Sequence, residues 1–202
     1  SITLSPGTYG DNSANGTLTL TPAASTDGIN VQAGAPAAIT ISTGIFLGAN
    51  QTWTVTDLAT TLTASGQVSG SFGLTKDGAG TLTLSSTVYS TYRGPTVVKA
   101  GTLKAGAATV TSWFSAVDIQ AGATLSTNGA DQYLASLSGA GTLNNSHAST
   151  TSNVYVGLNN ADTTFSGQVT NGSVGTLSLR KEGSGVLTLN GASGAHTATG
   201  AL

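Results

Sequence analysis

Residues 74–84 read Leu-Thr-Lys-Asp-Gly-Ala-Gly-Thr-Leu-Thr-Leu, and the closing Thr81-Leu82-Thr83-Leu84 sets the pattern for the whole chain. Hydroxylic and apolar residues alternate with a period of two. In an extended backbone this puts the leucines on one face and the threonines on the other. The same polar-apolar-polar triplet recurs, centred on Leu18, Ile41, Leu62, Leu82, Leu103, Leu125, Leu143, Phe165 and Leu187. A glycine stands just before it in five cases, at Gly16, Gly80, Gly101, Gly141 and Gly185. A short strand repeated at near-constant spacing reads as a solenoid. The central aliphatic of each triplet stacks inside on its counterpart one coil away. Thr and Ser form outer columns, and glycine allows the corners. The expectation is an all-β fold, a right-handed parallel β-helix (solenoid) of about nine coils of ~21 residues. At about 4.8 Å per coil it makes a rod on the order of 45 Å long.

Composition agrees. Of 202 residues only 7% are charged, the net charge is −2 and mean hydropathy is +0.13. Columns of β-branched hydroxyls keep a pleated surface wet without charge. Six Lys and Arg residues against eight Asp and Glu exclude an electrostatic nucleic-acid binder. Low charge also excludes the highly charged kind of disorder. No run of about 18 apolar residues exists to cross a membrane as a helix. The absence of Cys removes disulfides, thiolate zinc sites and thiol nucleophiles. The chain opens at Ser1 without Met or a charged, apolar leader, as a processed or excised piece does. Residues 1–202 show no linker or composition shift, so a single solenoid domain is expected. Gly10–Gly16, Asn144–Asn153 and Thr170–Gly175 read as loops at its corners.

A longer repeat runs above the short one. Ser65-Gly66-Gln67-Val68 returns as Ser166-Gly167-Gln168-Val169, and Leu74–Leu84 returns as Leu179–Leu189. Upstream of each copy lies a related strand, Ile45–Asn50 and Val154–Asn159. The first copy continues through Tyr92-Arg93-Gly94-Pro95-Thr96-Val97-Val98-Lys99-Ala100-Gly101-Thr102-Leu103. The pattern L-x-K-x-G-x-G-T-L-x-L, a tyrosine stretch with glycine, then T-x-V-x-x-G-T-L resembles the passenger-associated transport repeat of autotransporter passenger domains. The resemblance covers roughly residues 40–202, and the second copy reaches Leu202 before its closing half. It implies a right-handed β-helix, exported unfolded through a bacterial outer membrane and displayed at the cell surface. The lack of Cys fits such export. The family's membrane barrel has no counterpart in these residues, and the repeat itself implies no activity.

The search for chemistry yields weak signals. Gly78-Ala79-Gly80, Gly139-Ala140-Gly141 and Gly183-Ser184-Gly185 lack the following helix that a phosphate cradle needs, and read as solenoid corners. His147 and His196 have no Gly-x-Ser-x-Gly nucleophile to serve. Asp77 follows Asp57 by close to one coil length, and Asp118 follows Asp77 by close to two, with Lys99 between them. They could form a carboxylate column for polysaccharide cleavage or a charge-offsetting surface ladder. Such enzymes also need aromatic platforms, and only Trp53 and Trp113 present themselves. Calcium-binding nonapeptides are absent, and the sequons at Asn15, Asn50, Asn144 and Asn171 read as chance. Flat Thr arrays raise an ice-binding alternative, which Lys104 and Asn144 interrupt.

The reading is therefore a non-enzymatic, extracellular structural or adhesive solenoid at the bacterial cell surface, a stalk or a fibre or biofilm subunit. No catalytic, cofactor-binding or metal-binding residue is assigned. The alternatives are a polysaccharide-active β-helix enzyme and the ice-binding Thr ladder. The expected partners are further copies stacking head to tail, with Thr3-Leu4-Ser5 following a neighbour's Leu202, and a surface glycan or host-cell contact. Nucleic acid and membrane insertion are not expected.

Overall fold

The computed structural model describes residues 2–4 (backbone only), 17–23, 26–171 and 175–191. Every regular element among them is a β-strand. Every strand pairing is parallel. The first face is a nine-stranded sheet of β1 (Ile2–Leu4), β3 (Asp27–Val31), β6 (Gln51–Val55), β9 (Leu74–Asp77), β11 (Thr96–Val98), β13 (Ala116–Ile119), β16 (Ser136–Gly139), β19 (Thr163–Phe165) and β22 (Leu187–Leu189). The second face has seven strands: β4 (Ala38–Ile41), β7 (Thr61–Ala64), β10 (Thr81–Leu84), β12 (Thr102–Ala105), β14 (Thr124–Ser126), β17 (Thr142–Asn144) and β20 (Gln168–Thr170). The third face comes in two pieces. One is β2 (Thr17–Leu20), β5 (Gly44–Leu47) and β8 (Val68–Gly70); the other is β15 (Gln132–Leu134), β18 (Ser152–Val156) and β21 (Leu177–Lys181).

The chain visits the three faces in turn. From β3 to β21 it completes seven turns, with β1 and β2 before them and β22 after. The nine expected coils are thus about seven. The physical reason is register. On the second face the stacked column is Ile39, Leu62, Leu82, Leu103, Leu125, Leu143 and Val169. The five central leucines are as the spacing predicts, and all are buried. Ile41 instead pairs with Ala64, further along the same strand than Ile39 and on the same side. Leu18 pairs with Ile45 on the third face. Phe165 and Leu187 belong to the first face, where they oppose Leu189 and Thr163.

Alternation holds the stack together. β7, β10 and β12 each bury every second residue and leave the Thr or Lys between half-exposed. Each buried aliphatic side chain contributes about 1.5–3 kcal/mol of transfer free energy. Outside, Thr61, Thr81, Thr102, Thr124 and Thr142 form one unbroken column. The neighbouring column is Thr40, Thr63, Thr83, Lys104, the buried Ser126 and Asn144, so both columns carry threonine only on the two consecutive strands β7 and β10.

The Gly-x-Gly stretches are corners, as expected: 78–80 joins β9 to β10, 139–141 joins β16 to β17, and 183–185 joins β21 to β22. Gly78 (φ 79°) and Gly139 (φ 103°) sit in the left-handed region. A Cβ there would collide with Val55 O and Ile119 O, so only glycine lets one coil lie this close to the next.

The loop expected at 144–153 is shorter. Asn144 ends β17 and Ser152 begins β18. Between them the buried Asn145 side chain accepts from Gly129 N–H (2.8 Å) and His147 N–H (3.0 Å) and donates to Thr150 O (2.7 Å) and Thr176 O (2.9 Å). The Gly10–Gly16 loop, except for Gly16's neighbour Thr17 onward, lies outside the described residues, as do Ser5, His196, Leu202 and the middle of the Thr170–Gly175 loop. Thr3 and Leu4 lie in β1 opposite Asn30 and Val31, on the first face.

Candidate functional site

The third face is interrupted where 85–95 and 106–115 replace strands between its two pieces. These connections are anchored from within. Tyr92 is fully buried, and burial pushes its phenol above the usual range. Ser115 Oγ donates to Gly94 O (2.8 Å). A hydroxyl has one proton, so Thr96 donates to Ser115 (2.7 Å) and Tyr92 to Thr96 (2.6 Å). Gln132 ties the second connection down: its Oε1 accepts from Thr111 Oγ1 (3.0 Å) and its Nε2 donates to Ala107 O (3.0 Å).

Fixed inside, these connections turn large apolar groups outward. Val88 is 58% exposed, Tyr89 54%, Trp113 41% and Phe114 51%. Tyr89 leans on Trp113 (centroids 5.7 Å, 40°), Trp113 stacks on Tyr133 (5.0 Å, 27°), and Tyr133 on Tyr155 (4.4 Å, 9°). The Arg180 guanidinium lies 5.9 Å from the Tyr155 ring and that of Arg93 lies 4.2 Å from Phe114. The result is an aromatic stripe over four successive coils, with the Arg180 guanidinium at its Tyr155 end and that of Arg93 over Phe114, the chain neighbour of Trp113. Each stacked pair adds about 0.5–1.5 kcal/mol beyond its buried area. Partial burial, then the neighbouring Tyr155 and Asp131, raise the Tyr133 phenol above its ordinary value.

Sequence reasoning missed this stripe. Its signal was coil-length spacing: Tyr89, Trp113, Tyr133, Tyr155 and Arg180 follow one another at intervals close to that of the leucine column.

The three carboxylates do not form a column. Asp57 Oδ2 accepts from Gly34 N–H at 2.7 Å, at a corner. Asp77 ends β9, where it accepts from its neighbour Gly78 N–H and pairs with Lys99 at 2.7 Å. Asp118 lies within β13, opposite Val97 and Ser138, and accepts from Ser138 Oγ at 3.0 Å. Small variations in coil length move them to different strand positions. Burial would raise the Asp77 carboxyl, but hydrogen bonds from Lys99 and Gly78 N–H and the charges of Lys99 and Lys76 outweigh it and hold it below the ordinary value. Trp53 is fully buried in β6 with its Nε1 on Gln51 Oε1 at 3.0 Å, so it belongs to the core. His147 lies in the 145–151 loop, where its Nδ1 accepts from Thr150 N–H at 3.0 Å.

The repeat itself encloses a second cluster. Lys76 is fully buried, and its Nζ donates to Asp77 O (2.7 Å), Gly78 O (2.7 Å) and Ala100 O (3.0 Å). The ammonium thus staples one corner to the next coil's. Desolvation, opposed by the Asp77 charge, lowers its pKa to about 8. Lys181 repeats the device on Glu182 O and Gly183 O.

These features define a parallel, three-faced solenoid with lysine-stapled corners and an aromatic stripe. The passenger-associated-transport-repeat family matches at residues 74–105 and 179–202. Over 145 residues, 71% of this chain, the sequence is 38% identical to the adhesin BmaC autotransporter of Brucella suis biovar 1 (strain 1330). The chain spans about 4% of that relative's length. No solved structure matches significantly. The chain carries passenger-associated transport repeats and is a β-solenoid segment of the autotransporter passenger kind. Passenger segments are displayed outside the cell, which places this one at the cell surface.

Proposed function

We propose that this chain is a length of adhesive, non-enzymatic surface rod that acts by binding, with the aromatic stripe as its contact face. The observation that carries this reading is the run of mutually stacked rings Tyr89, Trp113, Tyr133 and Tyr155 on the third face, with Tyr89 and Trp113 exposed and Val88 and Phe114, their chain neighbours, exposed beside them. A monomer rarely leaves contiguous apolar surface open unless a partner uses it. Aromatic and Arg side chains are also the groups that dominate binding energies at interfaces. The adhesin relative supports the same reading. The polysaccharide-cleaving alternative needs two carboxylates close together. Asp57, Asp77 and Asp118 each have separate partners instead. The test compares attachment of host cells and of glycans to the immobilised chain and to a Tyr89→Ser, Trp113→Ser, Phe114→Ser variant. At least a tenfold loss with an unchanged melting temperature is expected, and undiminished attachment refutes the role of the stripe.

Head-to-tail stacking of copies is the second reading. It is supported by the placement of β1 and β22 as the two outer strands of one sheet. Light scattering should then show mass rising with concentration, and a constant monomer mass refutes it.

A further inference from the structure

These residues include no Cys and no Met, so the sulfur groups that commonly take up oxidants are missing. At a cell surface the most oxidisable side chains left are Trp and Tyr. Trp53 and Tyr92 are fully buried, and Tyr9 lies outside the described residues. The others are Tyr89, Trp113, Tyr133 and Tyr155, the four rings of the stripe. One pair of tyrosines within it is in direct ring contact. Tyr133 and Tyr155 have centroids 4.4 Å apart and planes 9° from parallel, whereas Trp113 stands between Tyr89 and Tyr133.

The fold fixes this pair from the backbone outward. Tyr133 and Tyr155 are opposed residues in the parallel pairing of β15 with β18, on strands about 4.8 Å apart. Two residues earlier the Asp131 carboxylate accepts from Asn153 N–H at 2.7 Å and from Asn153 Nδ2 at 3.1 Å, which pins the register. Trp113 stacks on Tyr133 from the preceding coil at 5.0 Å, and the Arg180 guanidinium lies 5.9 Å from the Tyr155 ring on the following one. Neighbours at both ends thus keep the two rings face to face. Both are only half-buried, so their edges and hydroxyls meet solvent.

We propose that Tyr133 and Tyr155 are a site of oxidative modification, where a dityrosine bond clamps two successive coils. The oxidant is hydrogen peroxide acting through a haem peroxidase. Each phenol gives up one electron and its hydroxyl proton and becomes a phenoxyl radical. The two radicals join through ring carbons ortho to oxygen, forming one carbon–carbon bond. The hydrogen on each joined carbon then leaves as a proton while each oxygen regains one, which restores both aromatic rings. In sum, two protons and two electrons pass to one hydrogen peroxide, which becomes two waters. Rings already in contact supply the proximity this coupling needs. The bond closes a loop of about 22 residues and restricts the unfolded chain as a disulfide would. It also sits where such a staple is useful: β15 is an outer strand of its three-stranded sheet, beside the interruption of the third face. The proposal rests on the geometry of the pair and holds whether or not the stripe is adhesive.

The test treats the full chain, at low protein concentration, with a haem peroxidase and one equivalent of hydrogen peroxide. The expected product is a monomer lighter by two hydrogen atoms that shows dityrosine fluorescence. After denaturation, chymotryptic cleavage at Leu137 or Leu143 should leave Tyr133 and Tyr155 in one joined peptide. The melting temperature should rise by about 5 °C. Tyr133→Phe and Tyr155→Phe keep a ring in the stack but lose a phenol, and each should abolish both the product and the rise. Oxygen added to Trp113 with the tyrosines left unjoined overturns the proposal, as does linkage mainly between separate copies. A joined pair with no rise in melting temperature overturns the clamp.

Discussion

Substituting Lys76 by methionine and following stability with pH probes the corner staple directly. The folded-state pKa of Lys76 is lowered from 10.5 to about 8. Between those values the unfolded chain binds more protons than the folded one, so stability rises with pH. The gain is absent below about pH 8 and accumulates as pH climbs toward 10.5. Over pH 7–10 the full shift corresponds to about 2.5 kcal/mol, reduced to roughly 1–2 kcal/mol by relaxation of the corner around the buried group. For a chain of this length that is a rise of about 3–6 °C in melting temperature. The window closes above pH 10, where the buried Tyr92 phenol, its pKa raised by burial, makes stability fall as unfolded tyrosines ionise. Thermal unfolding followed by circular dichroism at pH 7, 8, 9 and 10 reads the effect. Lys76→Met keeps the stem, leaves three carbonyls without their donor, and should lower stability at pH 7 by about 1–3 kcal/mol. Its pH profile should be flat from 8 to 10. A wild-type profile as flat as the variant's refutes the buried-ammonium account.

Leu82→Ala, in the middle of the leucine column and fully buried, should cost about 2–5 kcal/mol. The same change at Ile41, half-buried opposite Ala64, should cost less than half as much in urea unfolding. Gly101→Ala meets both a positive φ and Gly78 O, whereas Gly122→Ala, with φ +81 and open space around it, incurs only the backbone penalty of about 1 kcal/mol. Gly101→Ala should therefore be the more destabilising of the two, by about 1 kcal/mol or more in the same assay. Tyr133→Ala removes two stacked neighbours at once and should cost about 1–3 kcal/mol, with the near-ultraviolet dichroism of the stripe lost.

The rungs from Leu62 to Leu143 were legible because no insertion interrupts those coils, so sequence spacing and spatial stacking coincide. Ile41 was misplaced because Ile39 and Ile41 lie on the same side of one strand and alternation cannot tell them apart. Phe165 was misplaced because the 145–151 loop lengthens that coil, so Val169 rather than Phe165 follows Leu143 in the column. The same drift moves the second repeat by one face: Leu74 lies on the first face and Leu179 on the third. The Asp spacing misled for a related reason, since a one-coil separation fixes neither strand position nor side. The aromatic stripe had the right spacing, but two of its members stand in connections whose outward turn depends on the buried Tyr92 and Gln132 anchors. The role of Lys76 was hidden because a corner carbonyl cannot be seen in a sequence.

Nuclear Overhauser contacts between Hα protons of successive coils measure the stack itself. In-register parallel coils put Thr81 against both Thr61 and Thr102, and Leu82 against both Leu62 and Leu103, with strands about 4.8 Å apart. Cross-peaks for these pairs, and for Ile39 rather than Ile41 with Leu62, are the expected result. Cross-peaks from Leu82 to residues a few positions away along the chain, with none to Leu62 or Leu103, would contradict the solenoid and everything built on it.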